Sequence, residues 1–188
     1  MALVLNGTDG SVSAPAVTGS TGGTGTGIYY PASNQVAIST NGTQTLLASS
    51  GYITMPNQVG FFISSYTPTS VGANYFKVSG PTTNWSVGGG LNLTGGPSGA
   101  TRYTAPTTGY YYYQWALMGS GTTGRMIAFT EKNTAVVTEN NSDSVNYANS
   151  NTQFVIYLVA GDYLDFRTSG TYYAGANAAH YMSIRLIG

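Results

Sequence analysis

The chain has no cysteine, so no disulfide can staple it. Charge is almost as scarce: only 6% of residues are charged, against about 25% in an average soluble protein. Six Lys+Arg balance six Asp+Glu, so no basic field exists to attract phosphate backbones, and nucleic acid is excluded as a partner. Histidine occurs once, as His180, which leaves little material for acid–base chemistry. No apolar run approaches the 18 residues that a membrane-spanning helix needs, so no membrane insertion is expected. The opening Met1-Ala2-Leu3-Val4-Leu5 is too short for a signal peptide and lacks its basic flank. Five Asn-x-Ser/Thr sequons begin at Asn6, Asn41, Asn84, Asn92 and Asn140; without a secretory signal they read as by-products of composition.

What is present is apolar and polar-uncharged. Apolar residues make up 41% of the chain, enough to bury a core, and tyrosine alone numbers 16. Ser, Thr, Asn, Gly and the Tyr hydroxyl must wet the surface in place of ions. No stretch keeps a 3.6-residue apolar period for three turns, whereas short alternating runs between turn residues recur throughout. The chain is therefore expected to be all-β.

Residues 1–50 differ from the rest. The stretch Gly19-Ser20-Thr21-Gly22-Gly23-Thr24-Gly25-Thr26-Gly27 is low in complexity and cannot form a core alone. Strands at 35–39 and 43–47 flank Thr40-Asn41-Gly42, and Asn-Gly favours positive φ at both turn positions, the mark of a tight hairpin. Two strands are too few to stand alone in water. This segment is expected to be an extended attachment segment that borrows partners from identical chains.

Residues 51–188 carry the head domain. Ten strands are predicted: 59–65, 74–78, 85–88, 102–104, 110–118, 125–131, 135–139, 153–159, 163–168 and 181–187. That number suits a jelly roll or a related antiparallel sandwich. On 110–118 the period of two places Tyr111, Tyr113, Trp115 and Leu117 on one face and Tyr110, Tyr112, Gln114, Ala116 and Met118 on the other. On 153–159 both faces are apolar: Phe154, Ile156 and Leu158 against Val155, Tyr157 and Val159. An antiparallel sandwich wets its outer face, so these strands predict a cover there, either a loop or a neighbouring subunit. A contact between copies would use Tyr110, Tyr112, Val155, Tyr157 and Val159. On 163–168, Leu164 and Phe166 are predicted inward, with Asp165 and Arg167 facing solvent or an interface rim. On the last strand Met182, Ile184 and Leu186 are predicted inward.

The run Thr104-Ala105-Pro106-Thr107-Thr108-Gly109-Tyr110-Tyr111-Tyr112-Tyr113 resembles the signature of the complement q-subunit globular head, a fold shared with tumour necrosis factor. Tyr103, Pro106, Gly109, Tyr111 and Tyr113 take the signature places. Phe154-Val155-Ile156-Tyr157-Leu158-Val159-Ala160-Gly161-Asp162-Tyr163-Leu164 is similar to the family's apolar strand, Gly-Asp turn and following strand. Gly60-Phe61-Phe62-Ile63 resembles its first strand and 181–187 its last. Tyrosine replaces several family phenylalanines, and the usual Phe-Ser-Gly-Phe of the last strand is not reproduced. The resemblance implies a ten-stranded jelly roll forming homotrimers about an apolar axis. Some family trimers hold calcium on that axis, but no carboxylate cluster marks such a site here. No collagen-like stalk precedes the head. Instead Gly27-Ile28-Tyr29-Tyr30-Pro31 and Val36-Ala37-Ile38-Ser39-Thr40-Asn41-Gly42 are similar to segments of tailed-bacteriophage fibre proteins, as is the opening Met-Ala-Leu-Val-Leu-Asn-Gly. That likeness implies a virion component, on the tail or capsid surface, assembled in the host cytoplasm.

No catalytic constellation is present. A Ser-His-Asp arrangement would have to join His180 to Asp162 or Asp165, and Asp162 reads better as a side-chain cap of its Gly161-Asp162 turn. No enzyme activity, cofactor or metal is expected. Binding is. Tyr147, the pair Tyr172-Tyr173 and Trp85 lie in or near probable loops, and aromatics beside Asn and Ser suit sugar rings; the alternative is that they fill the core or the trimer axis. The expected function is a phage fibre whose trimeric head binds a host-surface receptor, a carbohydrate among the candidates, while the N-terminus docks to other virion proteins. A capsid or baseplate decoration without receptor binding is the alternative, and an animal-type recognition head ranks below both.

Overall fold

The Asn41-Gly42 turn forms as its residues dictate. Both residues take positive φ, 51° and 73°, and Thr40 pairs with Thr43 across the turn. A computed structural model of the chain describes residues 3–19, 24–72, 74–120, 125–143, 149–170 and 172–188. The chain divides into two compact units, Met1–Gln58 and Val59–Gly188.

In the first unit the hairpin does not stand alone. Six antiparallel strands follow one another in a meander: β1 (Leu3–Gly10), β2 (Pro15–Gly19), β3 (Gly27–Tyr29), β4 (Val36–Thr40), β5 (Thr43–Ser49) and β6 (Tyr52–Thr54). This corrects the expectation that only two strands are available: the chain supplies four more. It also places the end of the unit beyond residue 50, because β6 pairs with β5. Its buried side chains are small apart from Tyr29, whose hydroxyl donates to Gln44 Oε1 at 2.6 Å. Val17, Ile28, Ile38 and Leu46 are successive cross-strand partners and so share one face. Ile28 and Ile38 on that row remain exposed.

The second unit is an antiparallel sandwich of two sheets. Its strands are β7 (Gly60–Ser64), β8 (Thr67–Val71), β9 (Tyr75–Ser79), β10 (Thr82–Val87), β11 (Leu91–Asn92), β12 (Arg102–Thr104), β13 (Gly109–Met118), β14 (Arg125–Lys132), β15 (Ala135–Asp143), β16 (Asn149–Leu158), β17 (Tyr163–Ser169) and β18 (Tyr181–Leu186). One sheet has five strands in the order β10-β7-β18-β13-β16; the other runs β11-β12-β17-β14-β15 and carries the β8–β9 hairpin through β17. All ten predicted strands are present. The two that escaped prediction are β8, which is polar and contains Pro68, and the two-residue β11. Pro68 is tolerated because β8 is an edge strand, pairing with β9 alone.

The core lies between the sheets and follows the period of two. Tyr111, Tyr113, Trp115 and Leu117 of β13 are fully buried with Phe61 and Ile63 of β7 and Met182 and Ile184 of β18. Phe76, Tyr103, Met126, Leu164 and Phe166 meet them from the opposite sheet. Trp115 anchors the centre, 5.4 Å from Phe76 and 5.6 Å from Phe166 between ring centroids. Its indole N–H donates to Thr130 Oγ1 at 3.1 Å, which satisfies the one polar atom that burial would strand. Phe154 departs from its expected inward place and is half-exposed, because β16 is the edge strand of its sheet.

The expectation for β17 is also corrected. Asp165 does not face solvent but is fully buried on the outer side of its sheet. The backbone around Gly96 covers it, close enough that a Cβ at Gly96 would lie 3.1 Å from Asp165 Oδ1. Arg102 compensates the charge with a two-pronged contact, Nε to Oδ1 at 2.7 Å and a terminal nitrogen to Oδ2 at 2.6 Å. Directly opposite Asp165 on β14 stands Glu131, also buried. Glu131 accepts from Arg167 at 2.6 Å and from the Tyr75 hydroxyl at 3.1 Å. Two buried carboxylates therefore face each other, each held by its own arginine.

Candidate functional site

The Gly161-Asp162 turn is built as a cap. Asp162 Oδ2 accepts the Val159 N–H at 2.9 Å, Oδ1 accepts the Asn133 amide at 2.7 Å, and Lys132 lies 2.8 Å from the carboxylate. Lys132, then Asn133 and the Val159 N–H, hold the Asp162 carboxyl down at about 2. His180 is buried, stacked on Tyr66 at 5.7 Å with Nδ1 3.1 Å from the Tyr66 carbonyl oxygen. Burial pushes its imidazole below the usual range. Asp162, Asp165 and His180 thus each have separate structural partners, and no triad assembles. Among the described residues no group of three or more His, Cys, Asp or Glu could hold a metal ion.

The feature that stands out is the outer face of the five-stranded sheet. Tyr110 pairs with Tyr157 and Tyr112 with Val155 across β13 and β16, and the Tyr110 and Tyr157 rings meet edge to face at 5.1 Å. Tyr110, Val155, Tyr157 and Val159 are 54%, 47%, 47% and 50% exposed. No described loop of the second unit covers them. Exposed apolar surface of this density marks interaction sites on soluble proteins.

Toward the other edge of the sheet the same face opens into a groove of about 350 Å³, lined by Phe62, Trp85, Tyr112, Gln114, Ser183 and Arg185. Four strands place these residues. Trp85 of β10 lies opposite Phe62 of β7, Phe62 opposite Ser183 of β18, and Ser183 opposite Gln114 of β13. In the next row Arg185 lies opposite Tyr112, and its guanidinium sits 5.4 Å from that ring's centroid. The Tyr112 hydroxyl lies within hydrogen-bonding distance of Gln114 Oε1, at 2.8 Å, and of Gln153 Oε1, at 3.1 Å.

The aromatics singled out from the sequence separate. Trp85 is 39% exposed and lines the groove, beside Tyr112 of the expected subunit contact. Tyr172 turns inward, bridging to Gly119 and packing against the core, and burial raises its phenol above the usual value. Tyr173 turns outward, with its ring 6.2 Å from that of His180. Tyr147 lies outside the described residues. Phe62, Gln114, Ser183 and Arg185 were not foreseen as site residues; only the order of strands in the sheet brings them together.

No protein-family model and no curated protein matches the sequence. Solved structures do match. Murine APRIL at pH 5.0 aligns with a TM-score of 0.52 at 12% identity, over 69% of this chain and 99% of that one. Eiger TNF from S. frugiperda aligns with a TM-score of 0.51 at 11% identity, over 70% of this chain and 94% of that one. The two-sheet sandwich is thus a TNF-like jelly roll.

Proposed function

We propose that the chain is a bacteriophage fibre protein whose jelly-roll head forms a homotrimer and binds a receptor on the host surface. The observation that carries this reading is the uncovered face around Tyr110, Val155, Tyr157 and Val159, whose half-exposed side chains ask for a partner. A second copy is the simplest partner, and the TNF-like fold favours three copies. Domains of this fold typically bind rather than catalyse. The likeness of residues 27–42 to phage fibre segments supports the virion setting. The apolar row through Ile28 and Ile38 gives the first unit a surface for docking to other virion proteins.

The test is competition for adsorption. Purified protein at saturating concentration should block attachment of the phage to its host cells. Undiminished attachment would refute receptor binding and leave the decoration reading, in which the head caps a capsid or baseplate.

A further inference from the structure

The first unit, Met1–Gln58, has a single charged side chain, Asp9, and contains no Lys, Arg or His. That carboxylate lines a groove of about 400 Å³ within the same unit. The backbone sets the groove's shape. The Tyr30 N–H donates to the Asp9 carbonyl oxygen at 2.8 Å, which pins the start of the β3–β4 connection to the end of β1. The connection then turns on itself. The Gln35 N–H donates to the Ala32 carbonyl oxygen at 3.2 Å, and Asn34 takes a left-handed φ of 62°. Asp9, Tyr30, Ser33, Asn34 and Gln35 thereby converge on one space. Apart from Asp9 and Val36, the wall is this connection, which lies beyond the end of β3 and outside the Ile28–Ile38 row.

The wall chemistry narrows the ligand. Asp9 is exposed and takes part in none of the ion pairs among the described residues. A carboxylate can accept from two neighbouring hydroxyls at once, and such charge-assisted bonds are about twice as strong as neutral ones. The Asn34 amide and the Ser33 hydroxyl each donate and accept, while Gln35 Nε2 is tied to Ser49 Oγ of β5 at 3.5 Å. Tyr30 is 43% exposed, so its ring offers a face on which the C–H side of a pyranose can stack. The volume lies near the low end of small-molecule sites, which run from about 300 to 1,000 Å³, so it fits one or two sugar rings. An acidic sugar is disfavoured, because no basic side chain of the unit offsets the charge of Asp9.

We propose that this groove binds a neutral pyranose, with two hydroxyls on the Asp9 carboxylate and the ring stacked on Tyr30. The site lies in the first unit and uses no residue of the jelly-roll head. The probes are methyl α-glucoside, methyl α-galactoside and methyl α-mannoside, each titrated against the full chain by ligand-observed saturation-transfer NMR. Methyl glucuronide and butylammonium are the charged controls.

The expected result is saturable millimolar binding of at least one neutral glycoside, with saturation strongest at its ring C–H protons. The glucuronide should bind at least about tenfold more weakly, and Asp9→Asn and Tyr30→Ala should each weaken the neutral glycoside about tenfold. Both variants should keep the solution mass and unfolding temperature of the parent. No saturable binding of any neutral glycoside, or undiminished binding by either variant, would overturn the proposal. Tighter binding of butylammonium would make Asp9 a cation seat and overturn it too. A variant that unfolds earlier or changes mass would assign its residue to the fold or to a contact between copies, and the site would fall. Adsorption is read separately: a chain that blocks attachment but takes up no glycoside leaves receptor binding standing and removes this site.

Discussion

Replacing Arg102 by leucine should be among the most damaging single changes in the second unit. Among the described residues the guanidinium is the only cation paired with Asp165, whose side chain is 1% exposed, and Glu131 faces that carboxylate from the adjacent strand. Removing one partner of a buried ion pair costs about 3–5 kcal/mol, because the other charge is left buried without compensation. Arg102 itself is 24% exposed, so water reaches part of the site, and a loss of about 2–4 kcal/mol is the better figure. Across the roughly 130 residues of Val59–Gly188, at about 2.1 cal/mol/K per residue, that lowers the unfolding temperature by about 7–15 °C. Thermal and urea unfolding measure it. Arg102→Leu combined with Asp165→Leu should recover most of the loss, because apolar pairs replace buried ion pairs at little cost. A loss below about 1 kcal/mol, as for a surface pair, would refute the claim that Asp165 is a buried charge.

Three further outcomes follow from the same structure. His180 is the one side chain whose ordinary pKa lies between pH 5 and 8, and burial depresses it in the folded state. The unfolded chain therefore binds the extra proton first, so stability should be full above about pH 6.5 and fall as pH drops below it; urea midpoints at about pH 7.5 and 5.5 should converge in His180→Gln. Asp162→Ala should destabilise by about 1–2 kcal/mol through loss of the hydrogen bonds at the turn, and the parent should lose that contribution only as pH falls from the carboxylate range through about 2. Tyr157→Arg, on a half-exposed site, should cost a single chain at most about 0.5 kcal/mol yet weaken self-association by about 2 kcal/mol or more, as for an interface tyrosine at a hot spot, read by sedimentation against concentration.

Where strands are long and alternate cleanly, the fold is legible in the residues. The buried face of β13 and the Asn41-Gly42 hairpin need nothing beyond the period of two and the φ preference of Asn-Gly. The meander of the first unit is harder to read, because β3 and β6 have three residues each and β2 is rich in small side chains. Asp165 misled for a different reason: alternation places it on the outer side of its sheet correctly but cannot show that the chain near Gly96 folds over that side. Trp85 was readable as a binding candidate by its chemistry. Its groove partners were not, since Phe62, Ser183 and Arg185 meet it only through the pairing of β10, β7 and β18.

The claim on which the rest depends is that the face carrying Tyr110, Val155, Tyr157 and Val159 is covered by copies of the same chain. Sedimentation equilibrium of the full chain at micromolar concentration tests it most directly. The account predicts a species of three times the 19.6 kDa chain mass, dispersed by Tyr157→Arg; a parent protein that sediments as a single chain would contradict it.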